Sequence, residues 1–569
     1  MRRFLSLMII AVLLAGCSEL AGLLPTPEEA SLPSAYVAPT PEATFPPEMT
    51  TAARILARGE MVVGVRYDLE PFSYITPNSE LAGLEIDLAH ELARRWLGNP
   101  DAVRFRQVRS DSALDHLVNG TVDIVLAGVV HTQGAEAQAD FSPPYFVDGI
   151  ALLTFPDAGI QGLADLQDRK VGVVTWTGSE AVIQAAVPVS PTYTAYNNFF
   201  DAIEALRTRQ IDVYGDMRHR LERARHLVAG SIIVGQFTWE PVALVYRQDD
   251  PFFDDLVTLS FQDMAADGTR DALYARWLPG ASPPSTIFLP GDAPSPAFSQ
   301  TPPQLSPLDV IARIRTRGAL AVGYFNDRWP YSADRSDGAQ TGFEVRLVER
   351  LAERWLGSRQ AVTFAPVTEA DAFRRLAQGE LDMLIGGWVH TREAELQADF
   401  SIAVLDDGIG IFSLAAAPIQ NLTELGGRSV GVLAGSSGEA ALPGLAQAAG
   451  VGAATVVYPD LASALAGLQQ GEVIAIVSER RPLLDVLYNQ AGYSLTNQRY
   501  TYRPIAFALP QGDSAYRDLV NLTLAAFQAD GTYRELYSTW FDDPVPGLEV
   551  WPGRPTVPLV IGTAQQASP

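Results

Sequence analysis

One cysteine and one lysine stand in 569 residues. The single cysteine, Cys17, excludes a disulfide within the chain in any compartment. With Lys170 alone, nearly all positive charge falls to arginine, a matter of composition that carries no functional weight. Positive charge is scarce in any case. A formal net charge of −25 and a pI near 4.6 argue against a phosphate-binding surface, which needs clustered cations, so nucleic acid is not an expected partner. Beyond Ala15 no apolar run approaches the length of a membrane span. No Gly-rich phosphate loop, nucleophile elbow or paired-carboxylate constellation stands out, so neither an enzyme nor a cofactor is expected. His131 and His390 have no partner ligands nearby; they suggest internal hydrogen bonding, and no metal.

What is present is a globular balance of 47% hydrophobic and 19% charged residues. Length alone suggests roughly three or four domains. At the start, Met1 to Arg3 are a short basic segment, Phe4 to Ala15 are almost wholly apolar, and "LAGC" closes on Cys17. The run suits the hydrophobic region of an export signal with a small-residue cleavage site. It resembles a bacterial lipoprotein signal, in which the cysteine becomes the lipidated first residue; an ordinary secretory signal with an incidental cysteine is the other reading. Residues 1–17 are thus the expected signal peptide. The mature chain is expected outside the cytoplasm, anchored to the cell membrane by a lipid on Cys17.

Residues 18–49, rich in Pro, Ala, Glu and Thr, are expected to be a disordered tether. A second Pro-rich stretch, 280–307, reads as a linker, and 546–569 as a tail. The segments between them match. "ILARGEMVVGV" from Ile55 answers "IRTRGALAVGY" from Ile314, and "LARRWLG" from Leu92 answers "LAERWLG" from Leu351. "VHTQGAEAQADFS" from Val130 answers "VHTREAELQADFS" from Val389. All share an offset of 259 residues, which becomes 263 at "ADGTRDALYARW" and "ADGTYRELYSTW". A unit this long is a duplicated domain and not a solenoid repeat. The two copies are 50–279 and 308–545. Within each, short apolar strands such as "MVVGV" and "TVDIVLAG" alternate with segments of helical spacing such as "LAGLEIDLAHELARRWLG". That alternation predicts βαβ units and a mostly parallel sheet.

The ordered series of "RGxxxVGV", "PFSY", "GLEIDLAxELARRW", "NGTVDIVLAG", "ADFSxPYF" and "LADLQDRKVGVVTWTGS" resembles bacterial extracytoplasmic solute-binding proteins of the polar amino-acid-binding family, over almost all of each repeat. The resemblance implies an α/β fold: two tandem periplasmic-binding-protein-like type II domains, each of two α/β lobes with a hinge that closes on ligand. The crossings between lobes are expected near Asp148–Phe155 and Phe237–Arg247, and near "DDGIGIFSL" and "YTYRPIAFALP" in the second copy.

A free amino acid needs an arginine fork for its carboxylate, a carboxylate for its ammonium and a shaped wall. The family's arginine position before "DFS" is Ala135 in one copy and Ala394 in the other, and the hydroxyl position before it is Val130 or Val389. In the second copy, Ser436 and Ser437 open a helix after a Gly turn and are candidates for a carboxylate, or simply caps. Glu479 aligns with the acid that holds the ammonium in relatives; the alternative is a solvated helix-start acid. Two readings of Arg392 weigh evenly: a cleft residue reaching in from a shifted place, or a surface charge. Trp329, Tyr331 and Trp388 are candidate walls, with the core as the alternative. The first copy offers Phe72, Trp176, Thr177 and Asp216, the last one residue out of register. The second copy is expected to bind better. The leading expectation is a receptor that captures a small polar solute for an ABC-type importer. The alternative is a ligand sensor or scaffold with one or both clefts degenerate.

Overall fold

The computed structural model describes residues 49–562 except 110–111, 176–182, 185–186, 188–190, 285–288, 292, 295–308, 542–543, 550, 554 and 557–558. Cys17, Trp176 and Thr177 lie outside the described residues. No described helix is long and apolar enough to cross a membrane.

Each repeat is built as two lobes. In the first lobe of repeat 1 the sheet runs Val103–Gln107, Met61–Val65, Ile124–Leu126, Val245–Tyr246, Asp140–Phe141. The first three strands are parallel, and Val245–Tyr246 is antiparallel to both neighbours. Every residue of Met61–Val65 is buried, as its unbroken apolar run requires of a strand covered on both faces. The helix Leu84–Leu97 lays Leu84, Leu88 and Leu92 on this sheet and stops at Gly98, whose left-handed conformation lets its N–H return to Arg94. The second lobe orders Thr192–Tyr196, Lys170–Val174, Val213–Met217, Ile150–Thr154, Ile232–Val234. Repeat 2 has the same two orders, with Val362–Pro366, Leu320–Tyr324, Met383–Ile385, Ala508–Leu509, Asp399–Phe400 and then Ala454–Tyr458, Ser429–Leu433, Ala475–Glu479, Ile409–Leu414, Tyr493–Leu495. Even buried polar pairs are duplicated: Trp96 Nε1 donates to Ser260 Oγ and Trp355 Nε1 to Thr523 Oγ1, both at 2.9 Å.

Two antiparallel strands cross between the lobes. Phe146–Asp148 pairs with Glu240–Val242, and Leu405–Asp406 with Pro504–Ile505. The outgoing crossing lies a few residues before the expected start at Asp148, since Ile150–Thr154 already belongs to the second-lobe sheet.

The described parts of the linker and of the tail are packed, and they are packed in exchange. Pro290 C=O accepts the N–H of Arg392 at 3.0 Å, so the chain leaving repeat 1 seats on the short helix Arg392–Glu395 of repeat 2. Pro552 C=O accepts the N–H of Gln133 at 3.0 Å, so the chain leaving repeat 2 seats on the matching helix Gln133–Glu136 of repeat 1. Both hooks place Pro-Gly after a large apolar residue, in Leu289-Pro290-Gly291 and Trp551-Pro552-Gly553. Gly291 and Gly553 take φ of 115° and 94°, which a side chain would strain. Leu289 and Trp551 are the buried teeth, each 7% exposed. Trp551 stacks on His131 at 4.2 Å, and His131 stacks on Phe141 at 4.2 Å.

Candidate functional site

The clefts open beside the crossing strands, between the lobes. In repeat 2 the cavity has a volume of about 390 Å³. Trp388 and Phe373 form its apolar wall, and Arg328, Arg481, Arg503 and Asp407 its polar floor. Asp407 follows the outgoing crossing strand and is 2% exposed. Its Oδ1 accepts the Tyr331 hydroxyl and the Arg481 N–H, each at 2.8 Å, and its Oδ2 accepts Arg503 Nη1 at 2.8 Å. Burial raises the Asp407 carboxyl above its ordinary value, and Arg503 opposes that rise. Arg328 lies over the Phe325 ring at 3.4 Å and bonds Glu369, which is largely exposed. Burial lowers the Arg328 guanidinium from its ordinary value, and the nearby Arg481 charge pushes the same way. The half-buried Arg481 guanidinium itself has no hydrogen bond or ion pair among the described residues.

Of the expected residues of repeat 2, Trp388 alone lines this cavity. Tyr331 stands behind it, 2% exposed, as the donor that fixes Asp407. Trp329 packs edge-on against Trp540 at 5.0 Å and Tyr488 at 6.4 Å, away from the lining. Ser436 caps its helix by accepting the Glu439 N–H at 3.2 Å. Ser437 and Glu479 are brought together, but on each other: the Ser437 N–H donates to Glu479 Oε1 at 2.8 Å and Ser478 Oγ to Oε2 at 2.9 Å. Burial acts to raise Glu479, but these bonds outweigh it and hold the carboxyl below its ordinary value.

Arg392 is a correction. It points away from the cleft, donating from Nε to Ala293 C=O at 2.6 Å and pairing with Asp263 of repeat 1 at 3.1 Å. The reason is the exchanged hook, which brings backbone carbonyls and a helix of repeat 1 to the face where Arg392 projects.

In repeat 1 the cleft holds only about 100 Å³. Phe72, expected as a wall, lies 4.9 Å from the Phe146 ring and 5.3 Å from His219, so aromatic rings fill the space a solute would take. The His219 ring bonds Asp148, the counterpart of Asp407. Asp216 is the second correction. It is fully buried, accepting the Tyr214 hydroxyl and the Met217 N–H and pairing with Arg220 at 3.3 Å. Met217 opposite Ile150 is the register partner of Glu479 opposite Ile409, and a shift of one residue along a strand reverses the face.

Among the described residues no cluster of His, Cys, Asp or Glu is placed to hold a metal ion. Instead His131 and His390 each bond the glutamate five positions on, Glu136 and Glu395. Sequence reasoning missed Arg328, Arg481, Arg503 and Asp407. The repeated Asp-Gly at 148–149 and 407–408 was the available signal for the last.

The family model of bacterial extracellular solute-binding proteins, family 3, matches residues 61–280 and again 320–543. The ABC transporter glutamine-binding protein of Bacillus subtilis (strain 168) is 27% identical over 244 residues, 42% of this chain and 88% of its own. The glutamine-binding protein of Geobacillus stearothermophilus is 32% identical over 165 residues, 28% of this chain and 62% of its own. Among solved structures, an ancestral amino acid-binding protein described as a precursor of cyclohexadienyl dehydratase has 29% identity and a TM-score of 0.35, covering 40% of this chain and 99% of its own.

Proposed function

The chain belongs to the bacterial extracellular solute-binding proteins of family 3, and from that premise we propose a receptor that captures a small polar, amino-acid-like solute in repeat 2 for an ABC-type importer. The observation that carries this reading is the contrast between the clefts. The cleft of repeat 2 has volume, an aromatic wall and an unengaged guanidinium. The cleft of repeat 1 is filled by its own Phe72, Phe146 and His219. Relatives named for glutamine and for glutamate and aspartate support the solute class. A lipid on Cys17 would keep the receptor at the membrane, beside its permease.

The filled cleft of repeat 1 favours a scaffold role for that repeat, as the base on which repeat 2 opens and closes. A thermal-shift screen of the mature chain against amino acids, their amides, small carboxylates, polyamines and short peptides tests capture. A ligand at a hundred times its Kd stabilises the folded chain by about 2.7 kcal/mol. Trp388→Ala is expected to remove that shift. Silence across the library would overturn capture and leave the scaffold or sensor reading.

A further inference from the structure

We infer that the cleft of repeat 2 takes a small dicarboxylate, held by its two anionic ends and recognised without an ammonium group. This rests on the capture reading above and narrows it. The first ground is the placement of cations. Arg328, Arg481 and Arg503 converge on the cleft, where the matching positions of repeat 1 carry Leu69, His219 and Glu240. Arg503 stands just before the returning crossing strand Pro504–Ile505, Arg481 at the start of the second-lobe helix Arg480–Asn489 and Arg328 on the short first-lobe strand Asp327–Arg328, so closure draws them together around a solute.

The second ground is the state of the carboxylates. An ammonium needs an acceptor, and those nearby are engaged. Asp407 already takes three donors at 2.8 Å each and is neutralised by Arg503. Glu479 holds Ser437 and Ser478 and does not line the cavity. Glu393 accepts the Ala293 N–H of the hook at 3.0 Å. Glu369 sits at the rim with its side chain 75% exposed, bonded to Arg328.

The third ground is what is left unengaged. The Arg481 guanidinium makes no hydrogen bond or ion pair among the described residues, and the indole Nε1 of Trp388, a residue 8% exposed, is buried without a hydrogen-bond partner. Both are donors only. A wall whose buried carboxylate is engaged while its arginine and indole donors are not suits a ligand that only accepts, as an ionised carboxylate does. A guanidinium meets a carboxylate with parallel bonds, so one end of the solute fits Arg481. The other end falls to Arg328, whose exposed partner Glu369 holds it weakly.

Titration calorimetry on the mature chain decides the matter, with succinate, glutarate, L-glutamate, L-glutamine and L-arginine as probes. Succinate or glutarate is expected to bind at least as tightly as L-glutamate, and L-glutamine and L-arginine at least about tenfold more weakly. Affinity should fall as salt is added. Arg481→Gln is expected to cost tenfold or more in affinity, on the order of one charge-assisted bond, with Arg481→Lys between it and the native protein. The ligand-free melting temperature should move little in either variant, because the guanidinium makes no hydrogen bond or ion pair in the empty protein and its charge is attracted by Asp407 but repelled by Arg328. L-glutamate binding without succinate or glutarate would overturn the ammonium-free reading. L-glutamine binding more tightly than any dicarboxylate would overturn the solute class and leave capture standing. No binding by any probe or by the wider library would overturn both, and undiminished binding by Arg481→Gln would overturn the arginine anchor.

Discussion

Arg517 of repeat 2 reaches across to repeat 1 and pairs with Asp140 at 3.0 Å. The same guanidinium pairs with Asp254 at 2.8 Å. Asp254 is its own counterpart, so the two copies carry opposite charges at one matching position and meet there. Ser514 Oγ donates to Asp140 Oδ2 at 2.8 Å, and Asp249 and Ser514 exchange two bonds at 2.9 Å. This contact holds the first "QADFS" of the chain. Its aspartate begins the edge strand that repeat 1 turns towards repeat 2, and it does not line either cleft. The wording differs at Gln133 and Arg392 because each copy there meets a different hook.

Replacing Arg517 leaves Asp140 and Asp254 facing one another without a cation. Arg517→Met is expected to destabilise the chain by about 3–5 kcal/mol in urea unfolding, the cost of stranding buried charge. Adding Asp140→Asn to that variant should recover part of the loss. A double variant as unstable as Arg517→Met alone would show that Asp140 does not feel the arginine.

The acids at this contact set a pH dependence. Burial foremost, with Asp254 and Glu136 adding to it, raises Asp140 to about 7 against the pull of Arg517. Burial also raises Asp399 and Asp518 well above the ordinary carboxylate range, and away from this contact, within repeat 2, it raises Glu344 to about 7. Each group holds its proton in the folded chain at pH values where the unfolded chain has lost it. Their contribution is full at low pH and declines as pH climbs, for Asp140 and Glu344 between about 4 and about 7. Glu479 and Asp267, the latter lowered to about 2 with Arg95 bonded to it, act in the opposite sense and are lost only in stronger acid. The melting temperature should therefore be higher at pH 5 than at pH 8, and Asp140→Asn should narrow the gap. A melting temperature that rises between those values would refute this account.

The strands and helices were legible because periodicity and constant offset are local properties. "MVVGV" is buried throughout, and Gly98 ends its helix as a glycine stop should. The hooks were not legible. Leu289 and Trp551 bury one side chain each within Pro-rich sequence, which leaves no periodic trace. The direction of Arg392 depends on residues from the other repeat, which sequence order does not bring near it. Asp216 was misplaced because a strand alternates faces, and an alignment ambiguous by one residue selects the core instead of the cleft. The engagement of Glu479 with Ser437 was not legible either: the sequence offers an ammonium site or a solvated helix-start acid, because the two residues lie 42 positions apart and only the fold brings them together.

The tail hook holds repeat 1 from outside. Trp551→Ala removes the ring that closes over His131, and by analogy with large-to-small core changes should cost up to about 3–5 kcal/mol. Hydrogen exchange offers the sharper readout. The Gln133 N–H, bonded to Pro552 C=O, should lose protection in that variant, while the Arg392 N–H, bonded to Pro290, should keep it. Equal loss at both would mean that the hooks act as one clasp.

Glu479 separates capping from capture. Its carboxylate accepts the Ser437 N–H at the positive end of the helix Ser437–Ala448. Glu479→Ala should therefore destabilise the chain by about 0.5–2 kcal/mol, the range for a lost helix cap. Affinity for a solute held by Arg481 should not change, because Glu479 does not line the cavity. Glu479→Gln keeps an acceptor oxygen without the charge, so its stability should fall between the two. If Glu479→Ala instead abolished binding at unchanged stability, the carboxylate would be an ammonium site that opens when the lobes close. The solute would then be an amino acid and not a plain dicarboxylate, so this variant and the succinate titration test the same point independently.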